Sequence, residues 1–150
     1  MRRTDRQLST EDAISILRDA EFGVMSTISE NQAPYGVPLN FCLIEKHIYF
    51  HCATEGHKII NITESPKVSF CAVGNTCLIP EEFGTKYESV IVSGIAIEVF
   101  SKEKQIALEG LLSKYSLKHF QKGLKYIQNL YDKTRVFKIS IDTISGKARK

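Results

Sequence analysis

The alternation of apolar and polar residues along the chain predicts six β-strands. Runs rich in Val, Ile, Phe and Tyr with alternating polarity are typical of strands. They occur at residues 22–28, 35–43, 47–53, 67–73, 87–100 and 136–144. Short polar segments connect most of them, so we expect a mainly β, largely antiparallel sheet. Six strands in 150 residues favour one domain, 1–150, built as a small barrel with helices outside.

Apolar residues at helical spacing predict four helices, at residues 10–20, 56–64, 102–114 and 117–131. Ser9 is the expected N-cap of the first helix. The last helix carries an apolar stripe that we interpret as core or subunit interface: Phe120, Leu124, Ile127 and Tyr131. Gly94 interrupts the longest strand and predicts a bulge or bend. We expect residues 74–86 to form a loop and residues 145–147 to close the domain.

The stretch from Pro34 to Lys58 has the clearest pattern in the chain. With Glu45 and Lys46 as the turn of a hairpin, paired residues have numbers that sum to 91. Side chains alternate along a strand, so one face is wholly apolar and should be core: Leu39, Phe41, Leu43, Ile48, Phe50 and Cys52. The other face places Asn40 opposite His51. Glu-Lys is not a preferred two-residue turn, and a slip of one residue would exchange the faces.

Composition changes this picture little. The chain is 43% hydrophobic and 25% charged, as in an ordinary globular protein. It has no apolar run long enough for a membrane span and no signal-peptide pattern at its start, so we expect a cytoplasmic protein. The four cysteines form no CxxC motif; we expect buried reduced thiols and no metal site.

Charge is distributed unevenly along the chain. Residues 1–100 hold 8 Lys/Arg and 13 Asp/Glu, whereas residues 101–150 hold 12 and 4. Such asymmetry can indicate nucleic-acid binding, but the aromatic pattern of an RNA-binding module is missing, so we expect no nucleic-acid partner. A solvated helix face with a basic tail explains the charge, and a basic surface also attracts anionic cofactors.

An anion site is predicted where the second helix begins. Gly56, His57 and Lys58 open that helix, and a helix N-terminus favours negative charge through its N–H groups and dipole. Asn40 and His51 stand close by in the predicted hairpin. A polar pair beside an anion site suggests a ligand with a flat ring and a phosphate.

Five stretches of the sequence together resemble a known family. They are MRRTDRQLSTEDAISIL, FGVMSTISENQAPYGVPLNF, IYFHCATEGHKIINITESPKVSF, YESVIVSGIAIEV and TRVFKISIDTISGKA. The chain resembles the flavin-binding split-barrel proteins related to pyridoxamine 5′-phosphate oxidase, most closely their nitroimidazole-resistance branch. The resemblance implies a six-stranded antiparallel split β-barrel that forms a homodimer, with FMN between the subunits and FAD as the alternative.

The resemblance also implies roles for individual residues. Contacts to the flavin ring fall to Val37, Pro38, Leu39, Asn40, His51, Cys52 and Ala53. The phosphate end falls to Thr54, Gly56, His57 and Lys58. Apart from the resemblance, Arg135 and Lys147 are further cationic candidates for it. Tyr87, Glu88, Ser89 and Val90 complete the pocket, within the chain or across the dimer.

Two departures from the family pattern affect the expected chemistry. Cys52 stands where Ser is common, and His57 stands where Arg is frequent. An imidazole is only partly charged at neutral pH, so we expect looser phosphate binding. The residues that mark pyridoxine substrates are not evident, so oxidase activity on pyridoxine compounds is not expected.

Three functions follow as hypotheses. The first is an FMN-dependent oxidoreductase that reduces small nitroaromatic compounds of the nitroimidazole type with NAD(P)H, with His51 as a tentative proton donor or else a structural residue. No GxGxxG motif is present, so the nicotinamide would bind only transiently. The second is a non-catalytic flavin- or haem-binding protein, and the third is the disfavoured nucleic-acid binder. Fold alone does not separate the first two.

Overall fold

Seven strands form the body of the protein. The computed structural model describes residues 3–149. The strands are β1 Gly23–Ile28, β2 Pro34–Leu39, β3 Cys42–Ile44, β4 His47–Cys52, β5 Lys67–Ile79, β6 Gly84–Val99 and β7 Arg135–Arg149. They make one antiparallel sheet in the order β2-β1-β5-β6-β7-β4-β3. The predicted mainly β split barrel with flanking helices is confirmed.

Four α-helices flank the sheet: α1 Thr10–Asp19, α2 His57–Glu64, α3 Ser101–Ser116 and α4 Phe120–Leu130. The Ser9 side chain accepts the Asp12 N–H at 3.0 Å, as expected of an N-cap. No helix within residues 3–149 has the length and apolar character to cross a membrane.

The strand count differs from the prediction because the segment 35–43 is divided. Its first part, β2, pairs with β1, whereas β3 pairs with β4. The predicted register holds in that short hairpin, where Cys42 lies opposite Tyr49. The turn is accommodated by Glu45, whose φ of 54° is left-handed. Asn40 lies between β2 and β3, beyond the last pair of the hairpin, so it does not form the predicted strand pair with His51, although the two residues remain neighbours; on its other edge His51 pairs with Val136 of β7.

Two further predictions are corrected. Residues 74–79 and 84–86 belong to β5 and β6, and only 80–83 form the turn. The register shifts between Val73 and Thr76, and the Glu88 carboxylate accepts the Asn75 N–H there at 3.3 Å. Residues 145–147 continue β7 instead of ending it. The bulge predicted at Gly94 is confirmed, and a side chain there would overlap the Ser140 carbonyl.

The sheet has a core on each face. The larger core fills the barrel and contains Phe41, Ile48, Phe50 and Cys52, as the hairpin pattern predicted. The smaller core lies between the outer face of the sheet and α3, and includes Cys42, Tyr49, Val99, Ala107, Leu108, Leu111 and Val136. Ile127 and Tyr131 of the α4 stripe pack against it. Cys42 and Cys52 therefore lie in different cores, and Cys77, contrary to prediction, is exposed.

Candidate functional site

The barrel has an opening between the two edges of the sheet, where β2 and the β3–β4 hairpin end. Within residues 3–149, β2 pairs only with β1, and β3 covers β4 only as far as Tyr49. Residues 37–40 and 51–53 thus end the sheet on either side; we call this region the opening. Val37 and Leu39 turn toward the main core and are half-buried, whereas Pro38 and Asn40 are exposed.

Tyr115 of α3 fixes the chain where it leaves β2. Its hydroxyl accepts the Phe41 N–H at 3.0 Å, and it lies within donating distance of the Glu21 carbonyl, at 2.7 Å. Lys114 donates to the Ala20 carbonyl at 2.7 Å and stands 3.9 Å from the centre of the Phe41 ring. These contacts join α3 to the segment that carries Asn40.

His51 projects from the outer face of β4. Cys52, its neighbour, points into the barrel and is buried, so the chain can offer a ligand only its backbone at that position. Part of the His51 ring reaches solvent, but surrounding atoms desolvate it and lower its pKa below the ordinary 6.5. The imidazole is therefore mainly neutral at pH 7.

Cationic groups converge where α2 begins. Gly56 caps the helix with a φ of 139°, which side chains rarely adopt, and within residues 3–149 the place of its missing Cβ has open space around it apart from the adjoining residues of the chain. Arg135 donates to the Thr54 carbonyl at 3.4 Å and to Glu98 at 2.8 Å. Burial raises the pKa of Cys52, and the positive charges of Lys58 and Arg135 partly offset that rise. Glu98 is ion-paired with Arg135 and offsets its charge, so the positive potential at this point comes from Lys58 and the N–H groups at the start of α2.

His57 stands on the outer side of the same helix start. Its ring lies 4.5 Å from the centre of Tyr35, and its Nε2 is 3.3 Å from the Ser29 hydroxyl. A buried hydrogen bond of 2.9 Å from Asn61 to Thr27 fixes α2 against β1. The helix start is thus held in place relative to the β1–β2 hairpin.

Tyr87, Glu88, Ser89 and Val90 lie far along β6 from the His51 side of the opening, although Val90 is level with Leu39 on its other side, across β5 and β1. Tyr87 pairs with Arg149, twelve positions along β6 from Val99, which is level with His51. At about 3.3 Å per residue this is roughly 40 Å of strand. The Val90 side chain is fully buried, and the Glu88 carboxylate contacts Asn75.

Lys147 lies with this second group and not at the opening. Its ammonium stands 5.7 Å from the centre of the Tyr87 ring, and contact with Lys147 and Arg6 lowers the pKa of Tyr87. Among Lys147 and Arg135, the two further candidates, only Arg135 joins the predicted phosphate end.

A cavity of about 260 Å³ adjoins the opening on the helix side. Asn40 and His51 line it together, so the structure does bring them to one place although they are not paired. The rest of its wall comes from α3, α4 and the segment after α4: Leu108, Leu111, Leu112, Tyr115, Ser116, Gly123, Tyr126, Ile127, Leu130 and Thr134. Within residues 3–149, no group of three His, Cys, Asp or Glu side chains is arranged to hold a metal ion.

Sequence reasoning missed the residues that support the site. Tyr115 is 74 positions from Phe41, and Ser29 is 28 positions from His57. No local motif marks such contacts.

Comparison with known proteins identifies the family of this chain. The family model described as pyridoxamine 5′-phosphate oxidase matches residues 9–148. A search of curated proteins finds no match.

Several solved structures share the fold. A putative 5-nitroimidazole antibiotic resistance protein from Bacteroides thetaiotaomicron is 21% identical, with a TM-score of 0.78 over 95% of this chain and 86% of that one. A FAD-binding protein from Mesorhizobium loti is 22% identical, with a TM-score of 0.69 over 97% and 98%. A FAD- and haem-binding protein from Mycobacterium smegmatis is 14% identical, with a TM-score of 0.80 over 97% and 74%. Since the family model covers nearly all of the chain, the protein belongs to the pyridoxamine 5′-phosphate oxidase family.

Proposed function

We propose that the protein binds FMN at the opening and acts as a flavin-dependent oxidoreductase. The observation that carries this proposal is that Lys58 and the N-terminus of α2 lie beside an opening lined by uncharged side chains, with Arg135 held nearby in an ion pair with Glu98. FMN has the matching form, with a dianionic phosphate at one end and a neutral ring at the other. The similar fold of a FAD-binding protein from Mesorhizobium loti supports a flavin, with FAD as the alternative.

Each part of the opening has a task in this proposal. Gly56 leaves space for an anion to approach the backbone, and Lys58 supplies a charge-assisted contact. Val37 and Leu39 give the ring apolar contacts, and Asn40 supplies an amide. When bound, the flavin would accept a hydride from NAD(P)H and pass two electrons to a small nitroaromatic acceptor. His51 would hold or deliver a proton at its ring nitrogen.

We infer that a second copy of the chain completes the site. In one chain Tyr87, Glu88, Ser89 and Val90 lie far along β6 from the His51 side of the opening, and the Val90 side chain is buried in the core, although the family resemblance assigns all four to the pocket. The outer face of β1, β5 and β6 is open: Val24, Cys71 and Ile91 are cross-strand neighbours on it. Val73 and Ile91 are 51% and 52% exposed. Covering this face with another copy would bury apolar surface and bring the partner's β6 to the site.

A haem-binding role is the second candidate. The neutral imidazole of His51 beside an apolar cavity is the kind of group that ligates haem iron. A solved structure of similar fold from Mycobacterium smegmatis binds both FAD and haem. This role would leave the start of α2 without a ligand, which is why we favour the flavin.

The absorption spectrum of freshly purified protein tests the choice. We expect the two visible bands of a flavin, release of FMN on denaturation, and bleaching with NADH or NADPH without oxygen. A colourless preparation that takes up no added FMN or FAD would contradict the proposal. A Soret band that is lost in a His51→Ala variant would favour haem instead.

A further inference from the structure

The cavity beside His51 shares Asn40 and His51 with the opening, and the rest of its wall comes from parts of the chain outside the opening. Its floor is the end of β4 with Asn40, and its walls are α3 and α4. The two helices come close because α4 has Gly123 where it meets Leu112 of α3. A Cβ at position 123 would overlap the end of the Leu112 side chain. Both residues line the cavity, so this contact limits its size.

Size and charge restrict what the cavity can hold. An apolar cavity of about 150 Å³ takes benzene, whereas drug-sized ligands occupy roughly 300–1,000 Å³. At about 260 Å³ the cavity matches one substituted ring. Within the described chain its lining contains no Lys, Arg, Asp or Glu, and His51 is mainly neutral at pH 7. A phosphate or carboxylate would lose its hydration there without gaining a counter-charge.

The cavity has polar groups on its helix side and on its sheet side; Tyr115, Ser116, Tyr126 and Thr134 lie on the helix side. Thr134 on the helix side already donates to the Leu130 carbonyl at 2.9 Å, and the Tyr115 hydroxyl is engaged with Phe41. The Asn40 amide and the His51 ring stand on the sheet side, next to the opening. A ligand with one polar substituent can therefore place that substituent at the Asn40 amide and the His51 ring while its ring lies against Leu108, Leu111 and Leu112 of α3.

We propose that this α3–α4 cavity holds the compound that the flavin reduces, and that the compound is an uncharged aromatic with a single ring. The contact between Leu112 and Gly123 sets the size limit. The inference rests on the proposed function for the role of the ligand, but the binding of the ligand to the cavity is independent of it.

Three probes separate size from charge: nitrobenzene, 4-nitrobenzoate and 1-nitronaphthalene. Calorimetric titration of the flavin-loaded full chain should give binding of nitrobenzene and weaker binding of the other two. Gly123→Ala should push Leu112 into the cavity and weaken nitrobenzene about tenfold or more, since overfilling a packed site is typically that costly. Ala favours the helix over Gly, so α4 should remain folded. Lys125→Ala, on the exposed side of the same helix, is the matched control and should change nothing.

A second variant, expected to bind one probe more tightly, distinguishes an effect on the cavity from damage to the fold. Leu112→Ala should enlarge the cavity and improve the binding of 1-nitronaphthalene, which damage to the fold would not do. Nitrobenzene binding that is insensitive to Gly123→Ala, or equal binding of all three probes, would overturn the inference while leaving the flavin proposal intact. Protein that takes up no flavin, yet binds nitrobenzene in a Gly123-sensitive way, would confirm the cavity and contradict the proposed function.

Discussion

At the scale of single residues, His51 links chemistry to stability. Desolvation favours its neutral form, so its pKa in the folded protein lies below the unfolded value of 6.5. The unfolded chain then binds more protons as the pH falls through this range, and acid destabilises the folded state. A protonated His51 is nevertheless the form that can donate a proton. We expect turnover per bound flavin to rise below pH 6.5 while the free energy of unfolding falls.

The variant His51→Gln checks this coupling. It should lower turnover about 10²- to 10⁴-fold, as loss of a general acid typically does, while flavin stays bound. It should also flatten the pH dependence of both quantities between pH 5 and 7. His47→Gln, in the same strand, is the control. Unchanged turnover with intact flavin would leave His51 a structural residue only.

The Cys42 thiol should make the stability of the protein depend on pH in the alkaline range. Burial raises the pKa of its thiol from 9.0 to about 11. A raised pKa in the folded state stabilises the protein fully below pH 9, and this stabilisation is lost as the pH rises toward 11. Two pKa units correspond to roughly 2–3 kcal/mol.

Chemical denaturation at several pH values measures this effect. Between pH 8 and 11 the wild type should lose more unfolding free energy than Cys42→Ala, which has no thiol to titrate. Cys77→Ala should behave as wild type, since Cys77 is exposed. Parallel curves for all three proteins would contradict the assignment.

The face of β4 that carries His51 could be predicted, but the distant contacts that hold this region in place could not. The apolar alternation from Leu39 to Cys52 was enough to place Phe50 inside and His51 outside. The same alternation runs unbroken through Asn40 and Phe41, so it gave no sign that the chain changes partners there. The Tyr115 hydroxyl holds the chain at Phe41, where it passes from β2 to β3. Tyr115 is too far from Phe41 along the sequence for a local pattern to predict this contact.

At the scale of elements, the start of α2 should govern the choice between FMN and riboflavin. Riboflavin has the ring of FMN without the phosphate. A charge-assisted contact from Lys58 contributes roughly 1.5–3 kcal/mol, or about 10- to 150-fold in affinity. Lys58→Ala should therefore weaken FMN binding by that factor and riboflavin binding little, because the contacts from Val37 to Asn40 remain.

Fluorescence titration of both ligands against both proteins makes the measurement. Lys46→Ala, in the β3–β4 turn, removes an exposed cation away from the opening and serves as control. Equal losses for FMN and riboflavin would assign Lys58 to the fold. No loss for either would move the phosphate toward Arg135 or His57.

Element ends were harder to predict than elements, for identifiable reasons. Gly74 and Asn75 are residue types typical of a loop, but β5 continues through them as a bulge. The Glu88 carboxylate accepts the Asn75 N–H that the bulge leaves without a strand partner. Gly146 suggested a terminus, whereas it is small because α1 packs on β7 there; an added Cβ would lie 2.8 Å from that of Ala13. Glycine thus marked close approach and not chain reversal at that position.

At the scale of the whole molecule, the open outer face of β1, β5 and β6 predicts a dimer. The α4 stripe is a weaker candidate for the interface, because Ile127 and Tyr131 already pack on the smaller core of their own chain. The sequence pattern does not show which of the two surfaces forms the interface, because a position is equally apolar whether its own chain or a partner covers it.

Light scattering of the flavin-loaded protein should give about twice the chain mass of 16.9 kDa. Ile91→Glu should convert it to a monomer, because a charge would be buried at the interface without a partner, whereas in one chain Ile91 is half-exposed and tolerates the change. Ile97→Glu, at the other end of the same strand and also exposed, is the matched control. If the partner's Tyr87 and its neighbours complete the pocket, the Ile91→Glu monomer should keep its circular dichroism and lose most of its affinity for FMN. A folded monomer that binds FMN as tightly as wild type would show that each chain holds its flavin alone.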